Sequence, residues 1–166
     1  MEKITLVQNA HQTSLKGKKM KVGIIGAGSV GSATAFALIM RGVARKVVLI
    51  DANEKKAQAE AMDIAHAAPF AYANKVKAGT YEDLKGAEVV IVTAGANQKP
   101  GETRIDLLGS NAKIFESIIP QVAKYAPDTI LLITSNPADI MTEVAIKLSG
   151  FPRERVIGSG TVLDTS

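Results

Sequence analysis

From Met20 onward, short runs of β-branched and aliphatic residues alternate with longer helix-forming stretches. The runs KVGIIG, KVVLID, EVVIVTAG and TILLITS are almost continuously apolar, and NKVKAG and RVIGSG are weaker strand candidates. Continuously apolar strands are typical of a parallel sheet that helices cover on both faces, whereas a half-exposed strand alternates apolar and polar residues. The sequence therefore predicts an α/β fold with a doubly wound, mostly parallel six-stranded sheet.

Helices are predicted between the stronger strands, over residues 29–42, 53–68, 104–126 and 138–150. Pro120 lies inside the third of them, where a kink is expected. No repeat of fixed period and no low-complexity linker divides the chain. We therefore expect one domain over residues 21–166, preceded by an arm or tail over residues 1–20. The apolar ITLV of that segment favours an arm that packs on a partner subunit.

The sequence pI of about 9.3 would suit a polyanionic partner if the charge lay on the domain. Residues 1–21 carry five lysines and one glutamate, a net charge of +4, and the remainder holds 15 basic and 15 acidic side chains. Because the domain is neutral, nucleic-acid binding is not expected. No run approaches the roughly 18 apolar residues of a membrane helix, and the leader lacks the apolar segment of a secretory signal. The absence of cysteine fits a reducing compartment, so a cytoplasmic location and no metal site are predicted.

The first strand is followed by GAGSVG, which places Gly26, Gly28 and Gly31 in G-x-G-x-x-G spacing. That spacing is weak evidence alone, but here it follows a predicted strand and opens a predicted helix. The first glycine then permits a tight turn, the second lets a pyrophosphate approach the backbone, and the third lets helix and strand pack closely. Asp51 ends the second strand, where a carboxylate accepts ribose hydroxyls of NAD and repels the phosphate of NADP. The sequence thus predicts a Rossmann dinucleotide-binding domain that takes NAD.

Two more loops follow strands at the same edge of the sheet. GANQKPGETR (95–104) has the composition of a flap that closes over a substrate, and its Arg104 is suited to bind a carboxylate or polarise a carbonyl. SNPAD (135–139) places the amide of Asn136 where it can face the crevice. Each loop considered alone is better interpreted as an ordinary surface turn.

Together, GAGSVG, DANEKKA, TAGANQKPGETR, SNPAD and GSGTVLDTS occur in the order and spacing of the L-lactate and malate dehydrogenase family. Residues 21–166 resemble the first half of its bacterial lactate-specific members, which implies that a C-terminal substrate domain is absent. The resemblance implies hydride transfer between NAD(H) and the pyruvate/L-lactate pair of glycolysis. It also implies a homo-oligomer, commonly a tetramer.

The resemblance carries roles over residue by residue. Arg104 matches the arginine that polarises the keto group of pyruvate, and Asn136 matches the amide that holds the substrate oxygen and the cofactor. Asp164 matches the carboxylate that orients the catalytic histidine. Gln98 matches the position that separates lactate from malate enzymes, because an arginine there would recruit a second carboxylate. The positions that contact NAD in the family are Gly26, Gly28, Val30, Gly31, Asp51, Lys56, Tyr81, Gly95, Ala96, Ser117 and Asn136.

Asp164 lies two residues before the last residue of the sequence, Ser166. The resemblance places the catalytic histidine, and the arginine that pairs with the substrate carboxylate, beyond Ser166. Neither His11 nor His66 is expected to replace that histidine. The chain alone is therefore expected to be inactive. Two alternatives stay open: a non-catalytic or truncated NAD-binding module, and a malate dehydrogenase of the same family.

Overall fold

The computed structural model of the chain describes residues 20–67, 75–96, 101 and 103–160, and only the backbone of residues 104–106. The strands in these ranges are β1 (Lys21–Ile25), β2 (Lys46–Ile50), β3 (Lys75–Ala78), β4 (Val89–Val92), β5 (Ile130–Ile133) and β6 (Val156–Gly158). The α-helices are α1 (Ser29–Met40), α2 (Glu54–Ala67), α3 (Arg104–Tyr125) and α4 (Ala138–Ser149). These elements confirm the predicted strands and helices, with ends that differ by at most three residues.

The six strands form one sheet in the order β3-β2-β1-β4-β5-β6, and every neighbouring pair is parallel. The doubly wound parallel sheet predicted from the sequence is therefore confirmed. The chain moves from β1 outward to β3, then returns to place β4 on the other side of β1. This reversal opens a crevice at the carboxyl ends of β1 and β4, which is where open α/β sheets bind ligands.

The connection between β3 and β4 differs from the predicted alternation of strands and α-helices. It is a short 3-10 helix, Tyr81–Leu84, rather than an α-helix. The Asp83 carboxylate accepts a hydrogen bond from the backbone N–H of Thr80 at 3.0 Å, which fixes the start of this turn. Leu84 is fully buried beneath the sheet, so the short helix still contributes to the core. The predicted helix α3 continues through Pro120, which lies on its exposed face.

Helices pack on both faces of the sheet, which explains the continuously apolar strands. Ile24 and Ile25 are neighbours in β1, yet their side chains enter two different cores. One core lies under α3, α4 and the 3-10 helix, and the other lies under α1 and α2. Each buried aliphatic side chain stabilises the fold by about 1.5–3 kcal/mol relative to its exposed state.

Within the described part of the chain, no helix is long and apolar enough to cross a membrane. The same residues contain no group of three or more His, Asp or Glu side chains placed to hold a metal ion.

Candidate functional site

The turn after β1 depends on its glycines in three different ways. Gly26 has a φ of 107°, and its N–H donates to the carbonyl of Ile50 at 2.7 Å. A Cβ on Gly31 would lie 1.8 Å from the carbonyl oxygen of Gly26, so α1 can approach this turn only with a glycine there. A Cβ on Gly28 would meet nothing within 4 Å. Gly28 thus leaves open space at the N-terminus of α1, where backbone N–H groups and the helix dipole attract phosphate.

Asp51 follows β2 directly, and both of its carboxylate oxygens are held by backbone groups. Oδ2 accepts a hydrogen bond from the N–H of Ala27 at 2.6 Å, and Oδ1 accepts one from the N–H of Asn53 at 2.8 Å. Each oxygen of a carboxylate has a second acceptor site. The charge is therefore fixed beside the glycine turn and can still accept hydrogen bonds from two ligand hydroxyls.

Tyr81 begins the 3-10 helix and lies close enough to Asp51 to feel the charge of its carboxylate. Burial raises the pKa of its phenol, and the negative charge of Asp51 raises it further. The phenol of Tyr81 is therefore neutral at physiological pH. It offers the ligand an aromatic ring and a hydroxyl without adding charge.

Two adjoining clefts lie at the switch point of the sheet. The first, of about 590 Å³, runs from Asp51 past the glycine turn to α3. The second, of about 560 Å³, continues from it to the loop after β5, and the two share Val30, Thr93 and Gly95. Every residue predicted to contact the cofactor lines one or both clefts: Gly26, Gly28, Val30, Gly31, Asp51, Lys56, Tyr81, Gly95, Ala96, Ser117 and Asn136.

The second cleft is bounded by the loops that follow β4 and β5. Ser135 joins them, since its hydroxyl donates to the carbonyl of Ala94 at 2.6 Å. The peptide bond between Asn136 and Pro137 is cis, and the side chain of Asn136 is exposed at the cleft. The substrate end of the predicted site is described only in part. Gln98, Asp164 and His11 lie outside the described residues.

Arg104 begins α3, and only its backbone is among the described parts of the chain. His66 is exposed in the last turn of α2 and lines neither cleft.

Sequence reasoning missed several lining residues that the structure brings into the site, among them Thr93, Ile114 and Asn111. The hydroxyl of Thr93 donates to the carbonyl of Gly26 at 3.0 Å and so supports the glycine turn from β4. Asn111 carried a detectable signal, because it is a polar residue four positions before Phe115 on the buried stripe of α3. Nothing in the sequence marked Ile114 as a site residue, since its contact with the cleft depends on where α3 crosses the sheet.

A parallel sheet in this strand order, with a glycine turn and a carboxylate at its switch point, defines a dinucleotide-binding domain of the Rossmann class. The sequence profile of the lactate/malate dehydrogenase NAD binding domain matches residues 20–158. The chain belongs to the lactate/malate dehydrogenase family, and NAD is the cofactor of this domain.

Curated relatives of the chain are named L-lactate dehydrogenase. The L-lactate dehydrogenase of Thermus aquaticus is 60% identical over 147 residues, which are 89% of this chain and 47% of the relative. That of Clostridium perfringens (strain 13 / Type A) is 57% identical over 92% of this chain and 48% of the relative. The solved minor L-lactate dehydrogenase from Enterococcus mundtii superposes with a TM-score of 0.84 at 46% identity, over 88% of this chain and 47% of that one. The chain therefore spans about half the length of the relatives that it matches.

Proposed function

We propose that the chain is the cofactor-binding half of an NAD-dependent L-lactate dehydrogenase, which interconverts pyruvate and L-lactate. The observation that carries the cofactor site is the Asp51 carboxylate, fixed by two backbone N–H groups beside the open space at Gly28. The names of the relatives, at 54–60% identity for those compared, support the substrate pair.

The described residues fit a dinucleotide, and each end of the first cleft suits a different part of it. The N-terminus of α1 at Gly28 would hold the diphosphate, because the first N–H groups of a helix have no partner within the helix and attract anions. Asp51 would accept ribose hydroxyls, and its charge would repel the additional phosphate of NADP. When bound there, NAD(H) would accept or donate the hydride. The second cleft, which adjoins Gly28 through Val30, would then receive the nicotinamide half of the cofactor beside Asn136.

Four residues would complete the chemistry. Asn136 would hold the substrate oxygen through its amide, and Arg104 would polarise the keto group as charge develops on it. Gln98 would face the methyl group of pyruvate and so discriminate against dicarboxylates. Asp164 would orient a histidine and stabilise its protonated form. These roles come from the family motif. The alternative is a malate dehydrogenase of the same family, in which the position of Gln98 would have to serve a substrate with a second carboxylate.

We further propose that the 166 residues alone bind NAD without catalysing the reaction, since the motif places the histidine and a substrate-binding arginine beyond Ser166. The alternative to an L-lactate dehydrogenase half is a non-catalytic or truncated NAD-binding module. Assembly as a homo-oligomer and a cytoplasmic location are also proposed. The family resemblance supports the first, and the absence of cysteine is compatible with the second.

Titration of the chain with NADH, followed by the fluorescence of the cofactor, tests the proposal directly. We expect saturable binding that NAD displaces and NADP does not. A folded chain that binds neither NADH nor NAD would refute the cofactor site. Pyruvate-dependent oxidation of NADH by these 166 residues would refute the proposed need for further residues. Preference for oxaloacetate over pyruvate in the complete enzyme would overturn the lactate assignment.

A further inference from the structure

We infer that Asn111 is a positioning residue, whose side-chain amide holds the loop after β4 against the loop after β5 and thereby shapes the second cleft. The inference rests on the proposed function, because it assigns that cleft to the nicotinamide half of the cofactor. Asn111 touches both loops yet belongs to neither, since it lies in the second turn of α3.

The hydrogen bonds of Asn111 satisfy both ends of its amide. Oδ1 accepts from the backbone N–H of Ala96 at 2.7 Å, and Nδ2 donates to the backbone carbonyl of Asn136 at 2.8 Å. Because a backbone N–H can only donate and a carbonyl can only accept, one orientation of the amide fits both partners. Asn111 is 2% exposed, so a lost partner would leave a buried polar group unsatisfied.

The core holds Asn111 in place from the other side. It lies four residues before the fully buried Phe115, on the stripe of α3 that faces the sheet. The backbone of Gly95 also approaches it closely, since a Cβ on Gly95 would lie 3.3 Å from its Oδ1. The amide is therefore fixed relative to β4 and β5. Its two hydrogen bonds in turn restrain the backbone at Ala96 and Asn136.

Replacing Asn111 should disturb one half of the site and leave the other intact. Asn111→Leu has a similar size but leaves the N–H of Ala96 and the carbonyl of Asn136 without their partners. Asn111→Asp keeps an acceptor for Ala96 and places a second oxygen against the carbonyl of Asn136. The adenosine side, around Asp51 and Tyr81, makes no contact with Asn111 among the described hydrogen bonds.

The test compares NADH with ADP-ribose, which lacks the nicotinamide. We expect Asn111→Leu and Asn111→Asp to weaken NADH binding about tenfold, because two buried hydrogen bonds are lost or opposed, and to change ADP-ribose binding less than about twofold. The control is Thr129→Val, at the opposite end of β5, where the side chain is also fully buried. This control should change neither affinity.

Equal losses for both ligands, or no loss for NADH, would overturn the inference while leaving the proposed function intact. Failure of the unaltered chain to bind either ligand would overturn the proposed function and the cofactor role of Asn111 together. Amide hydrogen exchange in the unliganded chain gives an independent readout of the contact. The Ala96 N–H should exchange at least about tenfold faster in Asn111→Leu than in Thr129→Val after correction for global stability, and an unchanged rate would contradict the contact itself.

Discussion

The Asp51 carboxylate accepts a 2.6 Å hydrogen bond from the backbone N–H of Ala27, which lies 24 residues earlier in the chain. This contact joins the end of β2 to the glycine turn after β1. A second hydrogen bond, from the N–H of Asn53, fixes the other carboxylate oxygen. The position of the acid is thus set by backbone groups, so the site has its shape before a ligand arrives, which lowers the ordering cost of binding.

Replacing Asp51 with Asn tests this arrangement. An amide has one oxygen, so one of the two backbone N–H donors loses its acceptor, and the free energy of unfolding should fall by about 1–2 kcal/mol. NADH affinity should fall about tenfold, because a charged acceptor for the ribose becomes neutral, and the preference for NADH over NADPH should shrink. Urea unfolding and cofactor titration measure the two effects. Asp63→Asn, on the exposed face of α2, is the control and should leave both unchanged.

A pair of glycine variants separates folding from binding at the same turn. Gly31→Ala should destabilise the chain by about 2–3 kcal/mol or more, because the new Cβ collides with the backbone of Gly26. Gly28→Ala should fold with nearly unchanged stability, since its backbone is extended at φ −80° and its surroundings are open. Gly28→Ala should nevertheless bind NADH more weakly, because the methyl group occupies space assigned to the diphosphate. Thermal unfolding of both variants, with NADH titration of Gly28→Ala, distinguishes the two roles. Wild-type affinity in Gly28→Ala would contradict the assigned phosphate site.

Much of this fold could be predicted from the sequence because its strands are buried on both faces. β1 and β4 are continuous apolar runs, so they could be assigned as strands without knowing which strands pair with them. The glycine spacing and Asp51 were recognisable because the chemistry of a phosphate turn needs particular residues at particular places. The ends of strands and helices were less predictable, since they depend on local hydrogen bonds and capping.

The 3-10 helix Tyr81–Leu84 and the role of Asn111 could not be derived in the same way. The 3-10 helix has only four residues, too few for a periodic pattern. Its position depends on the burial of Leu84 under the sheet. Asn111 was visible as a polar residue on an apolar stripe, but its partners Ala96 and Asn136 lie 15 and 25 residues away. Only the packing of α3 against the sheet brings them together.

Titration of Tyr81 should report the charge of Asp51. Because the pKa of Tyr81 is raised above the ordinary value of 10.0, the folded phenol stays protonated at a pH where the unfolded one ionises. Its contribution to stability is fully present below pH 10.0 and is lost as the pH rises through the folded value. Tyrosinate absorbance, with Tyr81→Phe as the reference, should show Tyr81 ionising at lower pH in Asp51→Asn. An unchanged titration would contradict the coupling between the two side chains.

A second pH-dependent contribution lies at the turn after β3, where Lys77 Nζ is 2.5 Å from Asp83 Oδ1. Chiefly this hydrogen bond, and then the one from the N–H of Thr80, lowers the pKa of Asp83 below its ordinary value of 3.8. Stability from this pair is therefore present above pH 3.8 and is lost as the pH falls through the lowered folded value. Because the Asp83 and Lys77 side chains are 34% and 58% exposed, solvent screening limits the pair to about 0.5–1 kcal/mol. Asp83→Asn should cost this amount in urea unfolding at neutral pH and progressively less as the acid is protonated. Lys77→Met should lose less in the Asp83→Asn background than alone, and strictly additive losses would show that the pair contributes nothing.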